Sequence, residues 1–196
     1  MLRLYDSSIS GNSYKVRLLL AHLDRPYETI PVDVLGEMPD AVVEHNPAGR
    51  APMLVLDDGR ALPESNAILF YLAEGTPYLA GDVYLRAQTL QWMFFEQNLH
   101  EPSVAVARFI RQHLPSDHPR AALLPQVMAA GQAALESLER GLGGATFLVD
   151  DRLSIADIAL YAYTHTAADG GFDLASFPAI RAWLARVAAH PRHVSQ

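Results

Sequence analysis

The chain contains no cysteine in its 196 residues. Disulfides, cysteine-based zinc sites and any mechanism whose nucleophile is the protein's own thiol are thereby excluded. Basic charge is also scarce: 15 Lys and Arg stand against 22 Asp and Glu, a formal charge of −7. A nucleic-acid binder carries a basic face, and this composition supplies none, so no nucleic-acid partner is expected. Long apolar runs are missing, so no segment is expected to span a bilayer. Residues 1–20 reach Lys15 and Arg17 instead of a small-residue cleavage site, and a soluble cytoplasmic protein is the expectation. What is present is ordinary globular composition, 50% hydrophobic and 19% charged. That suits one large domain or two small ones.

The first third alternates short strands and helices. Residues 2–5 read as a strand, and residues 7–11 as a turn. From Asn12 onward apolar residues recur near helical spacing up to Leu23, before Pro26. Residues 27–34 read as a strand that Pro31 places at an edge. A helical turn over 40–44 ends at Asn46-Pro47. Residues 53–56 and 60–62, around Asp58-Gly59, read as a hairpin. Residues 65–73 are helical again.

After Glu74 the pattern changes. Gly75, Pro77 and Gly81 mark a linker, and no strand pattern follows. Helices are expected over 84–113, with Pro102 bending or breaking the run, and over 123–142, 154–168 and 177–189. Ser154 with Asp157 three positions on is a variant of the capping box, and Leu153 and Ile158 are spaced as a hydrophobic staple. The fold class is therefore an α/β N-terminal domain over 1–75, a linker over 76–83, and an all-helical domain over 84–196.

Four segments, taken together, resemble the glutathione transferases. They are Leu4-Tyr5 through Ser10-Gly11-Asn12-Ser13-Tyr14-Lys15-Val16; Asn46-Pro47-Ala48-Gly49-Arg50-Ala51-Pro52; Pro63-Glu64-Ser65-Asn66-Ala67-Ile68; and Ser154-Ile155-Ala156-Asp157. The resemblance covers nearly the whole chain and points to bacterial theta- or nu-like members of serine or asparagine type. It implies a thioredoxin-like first domain, glutathione as co-substrate, no metal, and a homodimer.

The residues have their own physical case. A tripeptide with two carboxylates needs a free strand edge and anion-binding helix termini. Pro52 has no N–H, so Ala51 offers the amide and carbonyl that an extended peptide can pair with. In the family this proline is cis; the sequence leaves the isomer open. Ser65 reads as an N-cap, with Glu64 beside it, a pairing suited to the carboxylate and ammonium of a γ-glutamyl group. Arg50 is a guanidinium partner for a ligand carboxylate.

A transferase must hold glutathione as thiolate although a free cysteine thiol has a pKa of about 8.5. Ser10, Gly11, Asn12 and Ser13 bring hydroxyls, amides and a helix start to one turn. The resemblance puts the catalytic hydroxyl at Ser10 and a second hydrogen-bond donor at Asn12. Ser13 reads as the helix N-cap, and Tyr5 as a strand residue packed in the core. Met38 departs from the family, which carries a polar side chain there for the glycyl end of glutathione.

A second-substrate pocket is expected beside Phe109 and Arg108, with a hydrophobic electrophile as partner. The leading reading is a glutathione transferase that conjugates the thiolate to a small electrophile. A glutathione-dependent peroxide or disulfide reductase, and a non-catalytic ligand-binding or protein-interaction module on the same fold, are the alternatives.

Overall fold

The computed structural model describes all 196 residues, which divide into two compact units, Met1–Thr76 with Pro191–Gln196, and Pro77–His190. The first unit holds β1 (Leu2–Asp6), α1 (Gly11–His22), β2 (Tyr27–Pro31), α2 (Asp40–His45), β3 (Met53–Val55), β4 (Ala61–Pro63) and α3 (Ser65–Ala73). The strands form one sheet in the order β2-β1-β3-β4. β1 and β2 run parallel, joined through α1, because a parallel pair needs a crossover. β3 is antiparallel to both β1 and β4. The β3–β4 turn closes with the Gly59 N–H on the Leu56 carbonyl at 3.0 Å, Gly59 having φ +87°. Asp58 Oδ1 accepts from the Arg60 N–H at 3.1 Å in the same turn.

Alternation in the strands sorts side chains to two faces. Leu4 and Leu54 are opposite one another across β1 and β3 and fully buried, as are Leu18, Leu19 and Leu20 of α1 and Ile68 and Leu69 of α3. Each such aliphatic side chain contributes about 1.5–3 kcal/mol over its exposed state. On the other face Val42, Met53 and Val55 form a cluster against which Tyr5 and Met38 pack. Tyr5 is thus partly buried and packs against this cluster from β1. Residues 191–196, read from sequence with the helical domain, pack instead with this first unit.

The second unit holds α4 (Val83–Phe95), a π-helical segment (Glu96–Ala105), α5 (Val106–His113), α6 (Leu124–Leu142), α7 (Ile155–Thr164) and α8 (Pro178–Ala188). The break expected at Pro102 is a widening rather than a stop. Pro102 lacks the N–H that would continue the ladder, and side chains satisfy nearby carbonyls. Ser103 Oγ shares its one hydrogen between Leu99 O at 2.6 Å and His100 O at 3.0 Å, and Asn98 Nδ2 donates to Phe94 O at 2.9 Å.

All ten residues of α7 are buried. Its start carries the capping box read from Ser154 and Asp157. Asp157 does more than cap: its carboxylate accepts from Ser154 N at 2.9 Å, Ser154 Oγ at 2.9 Å, Leu148 N at 3.0 Å and Trp183 Nε1 at 2.9 Å. Burial pushes its carboxyl above the ordinary value, and these hydrogen bonds pull it back down in part. Helix α8 has no cap of its own; Glu139 of α6 accepts from Ala179 N and Ile180 N at 2.9 and 2.8 Å. No helix is long and apolar enough to cross a membrane.

Candidate functional site

The strand register gathers the candidate residues of the first unit at one end of its sheet. Tyr5 pairs with Met53 and Met53 with Pro63. Beyond these pairs β1 runs into the β1–α1 turn, Ala51-Pro52 leads into β3, and β4 runs into α3. The β1–α1 turn, the start of β3 and the start of α3 therefore meet there.

Ser10 caps α1. Its backbone is extended, with φ −83° and ψ 122°, and its Oγ accepts from the Ser13 N–H at 3.3 Å. The sequence reading gave that cap to Ser13. The helix begins three residues earlier than a Ser13 cap would place it, at Gly11, and Ser13 lies fully buried with its Oγ accepting from Ser7 N at 3.2 Å. A hydroxyl that caps uses a lone pair, so the Ser10 hydrogen is still available to donate. No acidic residue stands in the first turn of α1, so the positive end of its dipole is not neutralised locally.

The Ala51–Pro52 bond is cis, as in the family resemblance. The turn before it is held by Asn46, a buried side chain. Asn46 Oδ1 accepts from Ala48 N at 3.1 Å and its Nδ2 donates to Arg50 O at 2.8 Å. An Asn before Pro that bridges its own backbone is the sequence signal for this role. Arg50 itself is exposed.

Ser65 was read as the N-cap of α3. In the structure it is the first helical residue, and Glu64 occupies the cap with φ 72° and no side-chain capping bond. A non-glycine residue at positive φ costs on the order of 1–3 kcal/mol and is found preferentially at functional sites. The first helical bond runs from Ile68 N to Glu64 O at 2.9 Å, which sets the positive end of the α3 dipole at Glu64 and Ser65. Ser65 is buried, and its Oγ donates to Asn12 Oδ1 at 3.2 Å. Ser10, Asn12, Ala51, Pro52, Glu64 and Ser65 thus share one sheet end.

Two further residues brace the β1–α1 turn and escaped the sequence reading. Arg17 pairs with Asp6, both largely buried, and its Nη1 also donates to Ser7 O at 3.3 Å. Burial first, and Asp6 second, raise the Tyr27 phenol above its ordinary value, so it stays protonated near neutrality.

Phe109 and Arg108 lie on α5 in the second unit. Arg108 Nε contacts Asp169 Oδ2 at 3.3 Å. The Phe109 ring stacks obliquely on His113 at 5.4 Å, with the Arg120 guanidinium 5.3 Å above it. A groove of about 650 Å³ in this unit runs between the π-helical segment and α6, lined by Leu99, Pro102, Val106, Val127 and Ala130. Arg108 and Phe109 take no part in lining it; they sit a turn further on, engaged with Asp169, His113 and Arg120. No group of three or more His, Asp or Glu side chains is placed to hold a metal.

A four-stranded sheet with a cis proline at the start of its third strand, followed by a helical unit, defines a thioredoxin-like domain with a helical partner. Residues 4–78 match the family described as Glutathione S-transferase, N-terminal domain, and residues 102–191 match Glutathione S-transferase, C-terminal domain. Disulfide-bond oxidoreductase YfcG of Escherichia coli (strain K12) is 30% identical, across 92% of this chain and 87% of that protein. Maleylacetoacetate isomerase of Pseudomonas aeruginosa is also 30% identical, across 97% and 92%. The crystal structure of glutathione S-transferase from Pseudomonas fluorescens Pf-5 superimposes with a TM-score of 0.94 at 47% identity, across 99% of this chain and 98% of that one. The chain belongs to the glutathione S-transferase family.

Proposed function

We propose that this protein binds glutathione at the sheet end of its first unit and activates the thiol for transfer to a small electrophile. The observation that carries the reading is the Ser10 cap. Its oxygen is turned to the Ser13 amide, which leaves the hydroxyl hydrogen as a donor at the positive end of α1. Lowering a thiol pKa from about 8.5 by about two units takes about 2.7 kcal/mol of preference for the anion. One hydrogen bond to a charged group supplies about 1.5–3 kcal/mol, so Ser10 with the helix end is sufficient in magnitude.

The rest of the tripeptide has matching partners. Ala51 offers its backbone to the cysteinyl residue. Ser65, Glu64 and the α3 amides suit the γ-glutamyl carboxylate and ammonium. Met38 is committed to the Val42 cluster, so Arg50 is the side chain left to meet the glycyl carboxylate. Asn12 is a donor and positioning group rather than a base. The thiolate attacks the electrophilic carbon, the leaving group departs with its electron pair, and the thiol proton goes to solvent.

A second reading uses the same thiolate for disulfide or peroxide reduction, two glutathiones being oxidised to their disulfide. The 30% identity to a disulfide-bond oxidoreductase across 92% of the chain favours considering it. With no cysteine in the chain, both thiols would come from glutathione. We expect one glutathione per chain by calorimetric titration, lost or severely weakened in Glu64→Ala and Ser65→Ala. Turnover of an aryl halide against turnover of a hydroperoxide or mixed disulfide then separates the two reactions. Absence of binding at millimolar glutathione would overturn both.

A further inference from the structure

Residues 191–196 lie against the turn that carries Ser10. Gln196 Nε2 donates to the Ile9 carbonyl at 3.2 Å. Tyr14 Oη, one turn into α1, donates to Val194 O at 2.7 Å, and His193 Nε2 lies 3.3 Å from the Tyr14 hydroxyl oxygen. Arg192 Nη1 donates to His22 O at 3.1 Å, and its Nη2 stands 3.5 Å from Asp24 Oδ2. The segment therefore follows α1 along its length and ends its contacts at the peptide before the cap.

That peptide joins Ile9 to Ser10. Its N–H, on Ser10, donates to Ser7 O at 3.1 Å. Its carbonyl, on Ile9, is the group that Gln196 holds. A peptide is planar, so fixing both ends fixes the plane, and the plane sets the direction in which the Ser10 Cα projects its hydroxyl. Gln196 keeps this contact although its Oε1 is buried with no donor in reach. A buried amide oxygen without a donor is costly, so the fold holds Gln196 in this orientation against that cost.

We propose that Gln196 and Tyr14 are positioning residues for Ser10, and that residues 191–196 brace the Ile9–Ser10 peptide in the orientation that aims the hydroxyl at the bound thiol. This rests on the reading of Ser10 as the thiolate's donor. Gln196 reaches the reacting sulfur only through the Ile9–Ser10 peptide. Tyr14 acts one step further back, by holding Val194 and with it the approach of Gln196.

The test compares wild type, Gln196→Ala, Tyr14→Phe, Ser10→Ala and the Ser10→Ala/Gln196→Ala double variant. Two readouts are taken: thiolate absorbance of bound glutathione against pH, and exchange of the Ser10 amide by NMR without ligand. Gln196→Ala is expected to speed Ser10 amide exchange about threefold to tenfold, the loss of one hydrogen bond. It is expected to raise the bound thiol's pKa by about 0.3 to 0.7, with glutathione affinity within about twofold of wild type. Tyr14→Phe should move both in the same direction. The double variant should match Ser10→Ala alone, because the brace acts through Ser10.

Unchanged exchange in both Gln196→Ala and Tyr14→Phe would overturn the brace. So would a Gln196→Ala effect on the thiol that adds in full to that of Ser10→Ala. If instead Ser10→Ala leaves the thiol unmoved, or wild type binds no glutathione, the functional reading falls. Amide exchange alone then decides the brace.

Discussion

Ser65 Oγ donates to Asn12 Oδ1 at 3.2 Å, linking the first residue of α3 to the first turn of α1. A serine hydroxyl carries a single hydrogen. A ligand carboxylate at the start of α3 would compete with Asn12 for it, so binding at one helix and amide orientation at the other are coupled. Ser65→Ala should weaken glutathione binding by about tenfold or more, the loss of one bond to a charged group. Asn12→Ala in the Ser65→Ala background should then cost more than it does alone, because no Ser65 hydroxyl is left for it to free. A calorimetric double-mutant cycle measures this, and strictly additive losses would mean that the two side chains act independently.

Ser10→Ala separates chemistry from binding. It removes one donor to the thiolate, so the pKa of bound glutathione should rise by about 1 to 2. Affinity for reduced glutathione at neutral pH should change little, because the tripeptide backbone and carboxylates hold most of it. The same change removes an N-cap, which costs about 1 kcal/mol and lowers Tm by about 2–4 °C. Ser10→Thr, which keeps the hydroxyl and caps nearly as well, should restore both. Thiolate absorbance against pH and a thermal scan check the pair, and an unmoved thiol would transfer the donor role to Asn12.

Much of this site was legible from residues alone, and its failures have local causes. The 65–73 helix stands on its apolar periodicity, and the Ser154–Asp157 box on its capping pair. The start of α1 was misread because Ser10 and Ser13 are both good caps. The helix is also buried on nearly every side, so no polar stripe marks its first turn. Ser65 was misplaced by one residue because the cap belongs to Glu64 at positive φ, a geometry that side-chain chemistry does not announce. The π-helical segment was read only as a disturbance at Pro102, since its compensating bonds come from Asn98 and Ser103 after the chain has folded. The role of residues 191–196 was invisible because Tyr14 and Val194 are 180 positions apart.

Asp157 should govern stability, not turnover. Asp157→Ala would strand the N–H groups of Leu148, Ser154 and Trp183, each a buried donor costing about 1–3 kcal/mol when unpaired. A loss of about 3–5 kcal/mol, or about 10 °C in Tm, is expected. The carboxyl is raised in the folded state by burial, so folding retains its proton to higher pH than the unfolded chain does. Its contribution is therefore full below the ordinary carboxyl value of 3.8 and declines as pH rises through the folded value. The stability advantage of wild type over Asp157→Asn should shrink from pH 4 towards pH 7 in urea unfolding. An advantage that grows with pH would mean that the four hydrogen bonds outweigh burial.

Gly141 sets two ordinary effects against each other. It is the penultimate residue of α6, where replacing glycine by alanine gains at most about 1 kcal/mol of helix propensity. A Cβ at this position, however, would overlap the ring of Trp92. Overpacking of that kind costs about 1–3 kcal/mol, and the indole is bounded on another side by Phe95, with ring centroids 5.3 Å apart and nearly perpendicular. The clash should win. Gly141→Ala is expected to destabilise by about 1 kcal/mol in chemical unfolding, and Trp92→Leu in the same chain should recover the propensity gain by making room. If Gly141→Ala were stabilising on its own, the Trp92 ring would have to move away at little cost, and the packing of α6 against it would be looser than the close approach implies.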